Sequence, residues 1–301
     1  MQLFDAFVAS IINYACPIWG FTKSKDLERI HLKYSKMILG VRQNSCNDAV
    51  YGELGRYPLY IIRYVQIIKY WLKLINTDNI ILKHVYEHAY EGCEHGDRNW
   101  VSNVKALLDD YGFSYIWRNP KNVHIKSFII SFKTRIIDCF CQKWYTDVQS
   151  NNVLNTIYVN IKDSFGEEKY LDIVMCKRLR KCITTIRISS HNLRIQTGRF
   201  GRERIERNER FCQMCESREV EDEFHFIIKC NTFDALRRKY IRRYYRERPS
   251  MFKFIELLKS RNKVILVNLA KFISEANAER NILLLTIPRN QPNDNANTMV
   301  L

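Results

Sequence analysis

Four residues within a span of nineteen constrain this chain more than any other feature: Cys212, Cys215, His225 and Cys230, spaced C-x2-C-x9-H-x4-C. Thiolates and an imidazole at such spacing form the donor set of a tetrahedral zinc ion. Four protein donors close the coordination sphere and leave no position for a substrate, so the pattern points to a structural zinc and not a catalytic one. The close Cys212–Cys215 pair is expected to clasp the metal from one turn, with His225 and Cys230 at the two ends of a short helix. Folding of such a segment draws much of its free energy from metal binding.

Charge gathers on both sides of this cluster. Between Cys176 and Arg210 stand eleven Lys and Arg against three Glu, and between Arg237 and Arg248 seven basic residues against Glu247 alone. These two runs supply most of the formal net charge of +16. An excess of that size concerns partners more than fold, and polyanions are the leading class. Arg238, Arg242 and Arg246 recur at i, i+4 and i+8, the spacing of one helix face. With Lys177 and Arg178 they are the expected phosphate contacts, and the interleaved Tyr244 and Tyr245 are placed to stack on bases.

The rest of the pattern predicts a mostly α protein. Only 10 Gly and 6 Pro punctuate 301 residues, too few for a sandwich or barrel with many turns. Leu3, Phe4, Phe7, Ile11 and Ile12 recur at helical spacing before a turn at Cys16-Pro17. Ser24 is the predicted N-cap of a helix that Gly40 stops. Tyr57-Pro58 begins another, with Ile61, Ile62, Val65, Ile68, Leu72 and Ile75 as its buried stripe. Helices follow over 80–90, 100–108 and 123–148, then a polar hinge near 150–169. A basic helix is predicted from Asp172 to Ile188 and an amphipathic one from Lys263 to Leu285. The tail from Pro288 to Leu301 is predicted to be disordered. Five regions result: an N-terminal helical bundle (1–95), a helical middle region (96–175), a basic helix with the CCHC module (176–248), C-terminal helices (249–287) and the tail (288–301).

Ten cysteines in a chain of this length do not make a disulfide scaffold, and those outside the cluster are expected to be mostly buried free thiols. The N-terminus lacks a basic leader and no apolar run approaches the ~18 residues of a membrane span, so a reducing nucleus or cytoplasm is expected. Three short matches carry little. His84-Val85-Tyr86-Glu87-His88 fits an inverted zinc-protease pattern, but histidines on the surface of an amphipathic helix account for it. Asp109-Asp110 falls at a helix end and not between apolar strands, as paired metal-binding carboxylates would require. Asp163, Glu167 and Lys169 lack any surrounding strand pattern.

Two longer stretches resemble a known family. Tyr51-Gly52-Glu53-Leu54-Gly55-Arg56-Tyr57-Pro58-Leu59, preceded by His31-Leu32-Lys33-Tyr34 and Ile38-Leu39-Gly40-Val41, is similar to the region after the polymerase core of non-LTR (LINE-type) retrotransposon reverse transcriptases. His191-Asn192-Leu193-Arg194-Ile195-Gln196-Thr197-Gly198-Arg199, and Glu221-Asp222-Glu223-Phe224-His225-Phe226 through Cys230, resemble the cysteine-rich C-terminal segment of the same proteins. The resemblance spans roughly residues 1 to 285. It implies thumb-like helices in the first ~95 residues, and a zinc segment that binds the element's RNA or its target DNA. The family's catalytic carboxylates would lie upstream of Met1, so no polymerase activity is expected of this chain.

The leading expectation is therefore a catalytically inactive, nucleic-acid-binding fragment of a reverse transcriptase, with no membrane partner. A zinc-stapled helical adaptor for acidic protein partners is the alternative. A metalloprotease built on His84 and His88 ranks far behind both.

Overall fold

Caps and apolar periodicity coincide through the first half of the chain in the computed structural model, which describes residues 2–151, 157–200 and 204–286. Among these residues the protein is mostly α-helical, and two isolated antiparallel bridges, Leu54 with Glu167 and Phe211 with Val220, are the only extended pairing. The chain divides into two compact units, Met1–Glu168 and Lys169–Leu301.

In the first unit, helix α1 (Lys25–Leu39) starts where Ser24 Oγ accepts the Leu27 N–H, and it stops at Gly40. Gly40 takes φ +70, and the Val41 N–H closes back on Lys36 O at 3.0 Å, a left-handed ending that favours glycine. Helix α2 (Asn47–Leu54) is short, and α3 (Leu59–Ile75) begins directly after Pro58. Ile61, Val65, Ile68 and Leu72 are buried on α3 as the pattern predicts, whereas Ile62 is exposed and Ile67 takes its place. Helices α4 (Ile80–Glu94), α5 (Trp100–Asp110) and α6 (Ile125–Ser150) complete the unit. A reciprocal cap between Asn99 and Ser102 opens α5.

The core of this unit runs from α3 through α5 to α6. Trp71 stacks on Trp117 with ring centroids 5.9 Å apart, and Phe128, Phe132 and Ile136 line one face of α6. Burial of each such side chain contributes about 1.5–3 kcal/mol. Because α3 shares this core with α5 and α6, the divide expected at residue 95 falls inside the first unit.

Close approach explains the glycines of the Tyr51–Gly55 stretch. A Cβ on Gly52 would stand 2.4 Å from Tyr158 Oη and 2.7 Å from Trp144 Cζ2. Gly55, at φ +59, lies against the backbone of Glu167. Tyr51 donates to Glu28, and Glu28 also accepts the Leu59 N–H at 3.0 Å, so this one carboxylate joins α1, α2 and the start of α3. The hinge expected near 150–169 is in part a packed segment: Tyr158 and Ile161 are buried, and the Glu168 N–H bonds Glu53 O. Residues 152–156 of it lie outside the described residues, as does the predicted tail from Pro288 to Leu301.

Four expectations need correction. Leu3, Phe7 and Ile11 are exposed despite their spacing, because only Phe4 finds partners, stacking on His31 and touching Tyr34. Cys16-Pro17 opens a helical turn, Cys16–Trp19, after Ala15 at φ 50. The basic helix expected from Asp172 is two pieces, Tyr170–Ile173 and then α7 (Lys177–Arg187), with buried Val174 turned out of helical geometry between them. Finally, of the cysteines outside the cluster only Cys16 and Cys93 are buried, and Cys139 and Cys176 are exposed.

Helices α8 (Asp234–Tyr240), α9 (Met251–Lys259) and α10 (Lys263–Thr286) are the further helices of seven or more residues in the second unit. Helices α7, α8 and α9 all pack on α10, around Ile183, Phe226, Phe233, Phe254 and Phe272. Among the described residues no helix is long and apolar enough to cross a membrane.

Candidate metal centre

The two ends of the cysteine cluster come from different local structures. A short hairpin carries the first pair: Phe211 bridges Val220, the Cys212 N–H bonds Glu219 O at 2.8 Å, and the Glu221 N–H bonds Arg210 O at 2.9 Å. Within its turn the Met214 N–H points at Cys212 Sγ, 3.4 Å away. The second pair brackets one π-helical turn, His225–Lys229, started by Asp222 Oδ1 on the His225 N–H and closed by the Cys230 N–H on His225 O at 2.7 Å. Phe226, Ile227 and Ile228 are buried on this turn and anchor it in the core. The expected turn at Cys212–Cys215 and the expected helix between His225 and Cys230 are thus both present.

The four donor atoms all lie within 4.8 Å of one another. Cys212 Sγ and Cys230 Sγ are 3.9 Å apart, and Cys215 Sγ is 3.3 Å from His225 Nε2. Tetrahedral bonds of zinc length would set such edges at about 3.6–3.8 Å, and these two separations depart from that by a few tenths of an ångström. Cys212, His225 and Cys230 are buried and Cys215 is half-buried, which leaves little room for a further ligand.

Electrostatics agree with a cation at the centre. Hydrogen bonding from Cys212, with His225 and Thr232, outweighs burial and lowers Cys230. The same contact, with burial, raises Cys212. Two sulfurs this close cannot both ionise without a positive charge between them, and a bound metal supplies it. Burial opposes protonation of His225, but hydrogen bonds to Cys230, Glu219 and Cys215 lift it to about 9. A metal ion on Nε2 would take the place of that proton. His225 Nδ1 then donates to Glu219 Oε2 at 2.9 Å, and Lys229 Nζ holds the other oxygen of Glu219 at 2.7 Å. A carboxylate behind a ligand imidazole fixes its tautomer and orientation.

Buried polar residues brace this centre, and the sequence pattern did not single them out. Arg237 donates through Nη2 to Cys230 O at 2.7 Å and through Nε to Ile227 O at 2.9 Å. Glu221 forms a two-point ion pair with Arg280 of α10, at 2.6 and 2.8 Å, and accepts the Arg194 N–H. Glu223 accepts from Ser189 and pairs with His191, and against the effect of burial His191 holds its carboxyl below the usual range. The stretches around His191 and around Glu221 thus meet in one network.

No family model, curated protein or solved structure matches this chain.

The residues expected to contact nucleic acid divide. Lys177 and Arg178 are exposed at the first turn of α7, and Arg238 and Arg242 are exposed as well. The single helix face joining Arg238, Arg242 and Arg246 does not exist. Helix α8 ends at Tyr240, Ile241 is extended and 3% exposed, and a separate turn spans Arg243–Arg246. Burial of Ile241 is the physical reason for the break. Arg246 folds back, with Nε on Ile241 O at 2.9 Å. Tyr245 is 5% exposed and belongs to the core, so it offers no ring to a base, whereas Tyr244 is half exposed with its hydroxyl on Glu256. Arg187, Arg210 and Arg237 are buried, so the two basic runs present less charge than their composition suggests.

The three weak motifs fare as expected of surface residues. His84 and His88 are exposed on α4, with Glu87 3.5 Å from His84. Asp109 and Asp110 are exposed at the end of α5, and Asp163, Glu167 and Lys169 are exposed, Glu167 at its bridge to Leu54.

Proposed function

We propose that this chain is a nucleic-acid-binding protein whose surface is held by one structural zinc, and that it is the thumb-like and cysteine-rich portion of a non-LTR retrotransposon reverse transcriptase. The observation that carries the reading is the closed Cys212, Cys215, His225 and Cys230 cluster in the same unit as the exposed cations Lys177, Arg178, Arg238 and Arg242. Zinc is the metal best suited to three thiolates and one imidazole in tetrahedral array. A site with no open position positions backbone; it does not activate water. The chain then acts by binding, without polymerase chemistry.

Phosphate contacts should dominate affinity, so binding weakens steeply as salt rises. The test is a gel shift of zinc-loaded protein with RNA and with DNA at a low and a moderate salt concentration. Absence of binding at low salt would overturn the reading, and Arg238→Ala with Arg242→Ala should lower the salt slope by about 2.

The helical adaptor is a second reading, favoured by one observation: Ile80, Ile81 and Val85 are all more than half exposed along α4. An unpartnered apolar stripe of this kind marks protein contacts more often than nucleic-acid ones. Bulk RNA in excess discriminates the two, since an adaptor keeps its protein partner.

A further inference from the structure

A second group of arginines lies between Gly198 and Arg210, in the unit that holds the metal centre. The Ile205 N–H bonds Gly198 O at 3.1 Å, so Arg199 and Arg204 each adjoin one side of that pairing. Buried Arg210 fixes its base: Nη1 donates to Ile195 O at 2.8 Å, and Nε and Nη2 donate to Ile205 O at 3.0 and 2.9 Å. Gly198 lets the Arg210 stem pass, since a Cβ there would stand 2.9 Å from Arg210 Cγ. Arg207 opens the turn that leads to Arg210, and Arg204 and Arg207 are both exposed.

Like charge accumulates here. Burial, then Arg210, Arg207 and Arg204, lowers Arg199; burial, then Arg204 and Arg207, lowers Arg210. Glu223 and Glu206 offset part of it. Phe200, next to Arg199 in the chain, is 74% exposed.

We propose that Phe200, Arg199, Arg204 and Arg207 form a seat for a single strand of nucleic acid, with the ring stacked on an unpaired base and the guanidinium groups on the flanking phosphates. Guanidinium matches phosphate oxygens in pairs, and a base stacks on an aromatic ring whatever its identity. A duplex keeps its bases stacked on one another and offers the ring nothing. The seat rests on the nucleic-acid reading above and adds a location and a strand preference to it.

The experiment uses the full chain loaded with zinc and three fluorescein-labelled probes: oligo(dT), oligo(U) and a mixed-sequence duplex, each of about 20 nucleotides or base pairs. Phe200→Ala should weaken binding of both single strands about 5- to 100-fold and leave the duplex within about twofold. Phe200→Trp should restore affinity, and its emission should be quenched by oligo(dT). Arg204→Gln with Arg207→Gln should weaken all three probes and lower the salt slope by about 2. Zinc content and circular dichroism of each variant establish that the fold is intact. Single-strand affinity unchanged in Phe200→Ala overturns the seat while leaving the nucleic-acid reading in place. Wild-type protein that binds no probe at low salt overturns both. Polyglutamate that competes as well as oligo(dT) also overturns the seat, since a stacking site cannot prefer it.

Discussion

Arg280→Met tests how far the metal centre depends on helix α10. Arg280 reaches from α10 to Glu221, both side chains are at most 5% exposed, and the pair is joined through two short hydrogen bonds. Removing the cation strands a buried carboxylate, which costs about 3–5 kcal/mol. Two features argue for the lower end: Glu221 keeps the Arg194 N–H at 2.7 Å, and a methionine refills most of the arginine stem. The expected loss is therefore about 3 kcal/mol, or about 10 °C in the melting temperature of a unit this size. The double variant Glu221→Gln, Arg280→Met leaves no unpaired charge and should recover about 1–2 kcal/mol of it. Urea unfolding followed by circular dichroism measures the change. All five tryptophans lie in Met1–Glu168, so their emission supplies a reference from the first unit. The Glu221 N–H also bonds Arg210 O in the hairpin that carries Cys212, so zinc should leave Arg280→Met faster when a chelator is added. A loss below about 0.5 kcal/mol with unchanged zinc release would show that the ion pair does not hold this unit together.

Three further outcomes are expected. Zinc should bind at one ion per chain and not at all to Cys230→Ser, while Glu219→Gln, which frees the His225 ring, should lower zinc affinity about 10- to 100-fold by competition with a chelating dye. Gly52→Ala should cost about 1–3 kcal/mol in urea unfolding, since its methyl group meets Tyr158 and Trp144 within contact distance. Burial opposes ionisation of Glu28, yet hydrogen bonds to His31, Tyr51 and the Leu59 N–H hold its carboxyl below the ordinary 4.5. A depressed carboxylate stabilises fully above its unfolded pKa and progressively less as pH falls through its folded value. Glu28→Gln should therefore be less stable than wild type above about pH 5, and the two unfolding curves should converge as pH falls through the depressed folded value.

Features that depend on a few neighbouring residues were legible from the sequence. The metal ligands lie within one short stretch, their side chains are chemically unusual, and local spacing alone brings them together. Helix α1 was equally readable, because Ser24 and Gly40 terminate it by bonds to their own neighbours. Features decided by distant partners were not legible. Nothing near Ile241 announces that it will be buried and interrupt the Arg238–Arg246 face, and nothing near Tyr245 marks its ring as core. Glu221 and Glu223 stand out in the sequence only as part of a family-like stretch, and their partners Arg280 and His191 stand 59 and 32 residues away. The glycines at 52 and 55 were noticed as a resemblance, and their reason lies with Trp144, Tyr158 and Glu167.

Burial also changes what the charge of this chain means. Composition counts every arginine of the second unit as a candidate for phosphate, but Arg187, Arg210, Arg237 and Arg280 lie inside it. Three of them answer backbone carbonyls that no helix satisfies: Leu258 O for Arg187, Ile195 O and Ile205 O for Arg210, Ile227 O and Cys230 O for Arg237. A guanidinium suits that role because its rigid fork reaches two acceptors at once, which a lysine ammonium on a flexible stem does less well. Arg210 and Arg237 thus hold the ligand segments, and exposed arginines such as Arg178, Arg204, Arg207, Arg238 and Arg242 remain for solvent or a polyanion. Arginine-to-lysine exchange separates the two sets. It should be nearly silent at Arg238 and Arg242, where charge alone meets phosphate, and should destabilise the unit at Arg210 and Arg237, where the fork is what the carbonyls require.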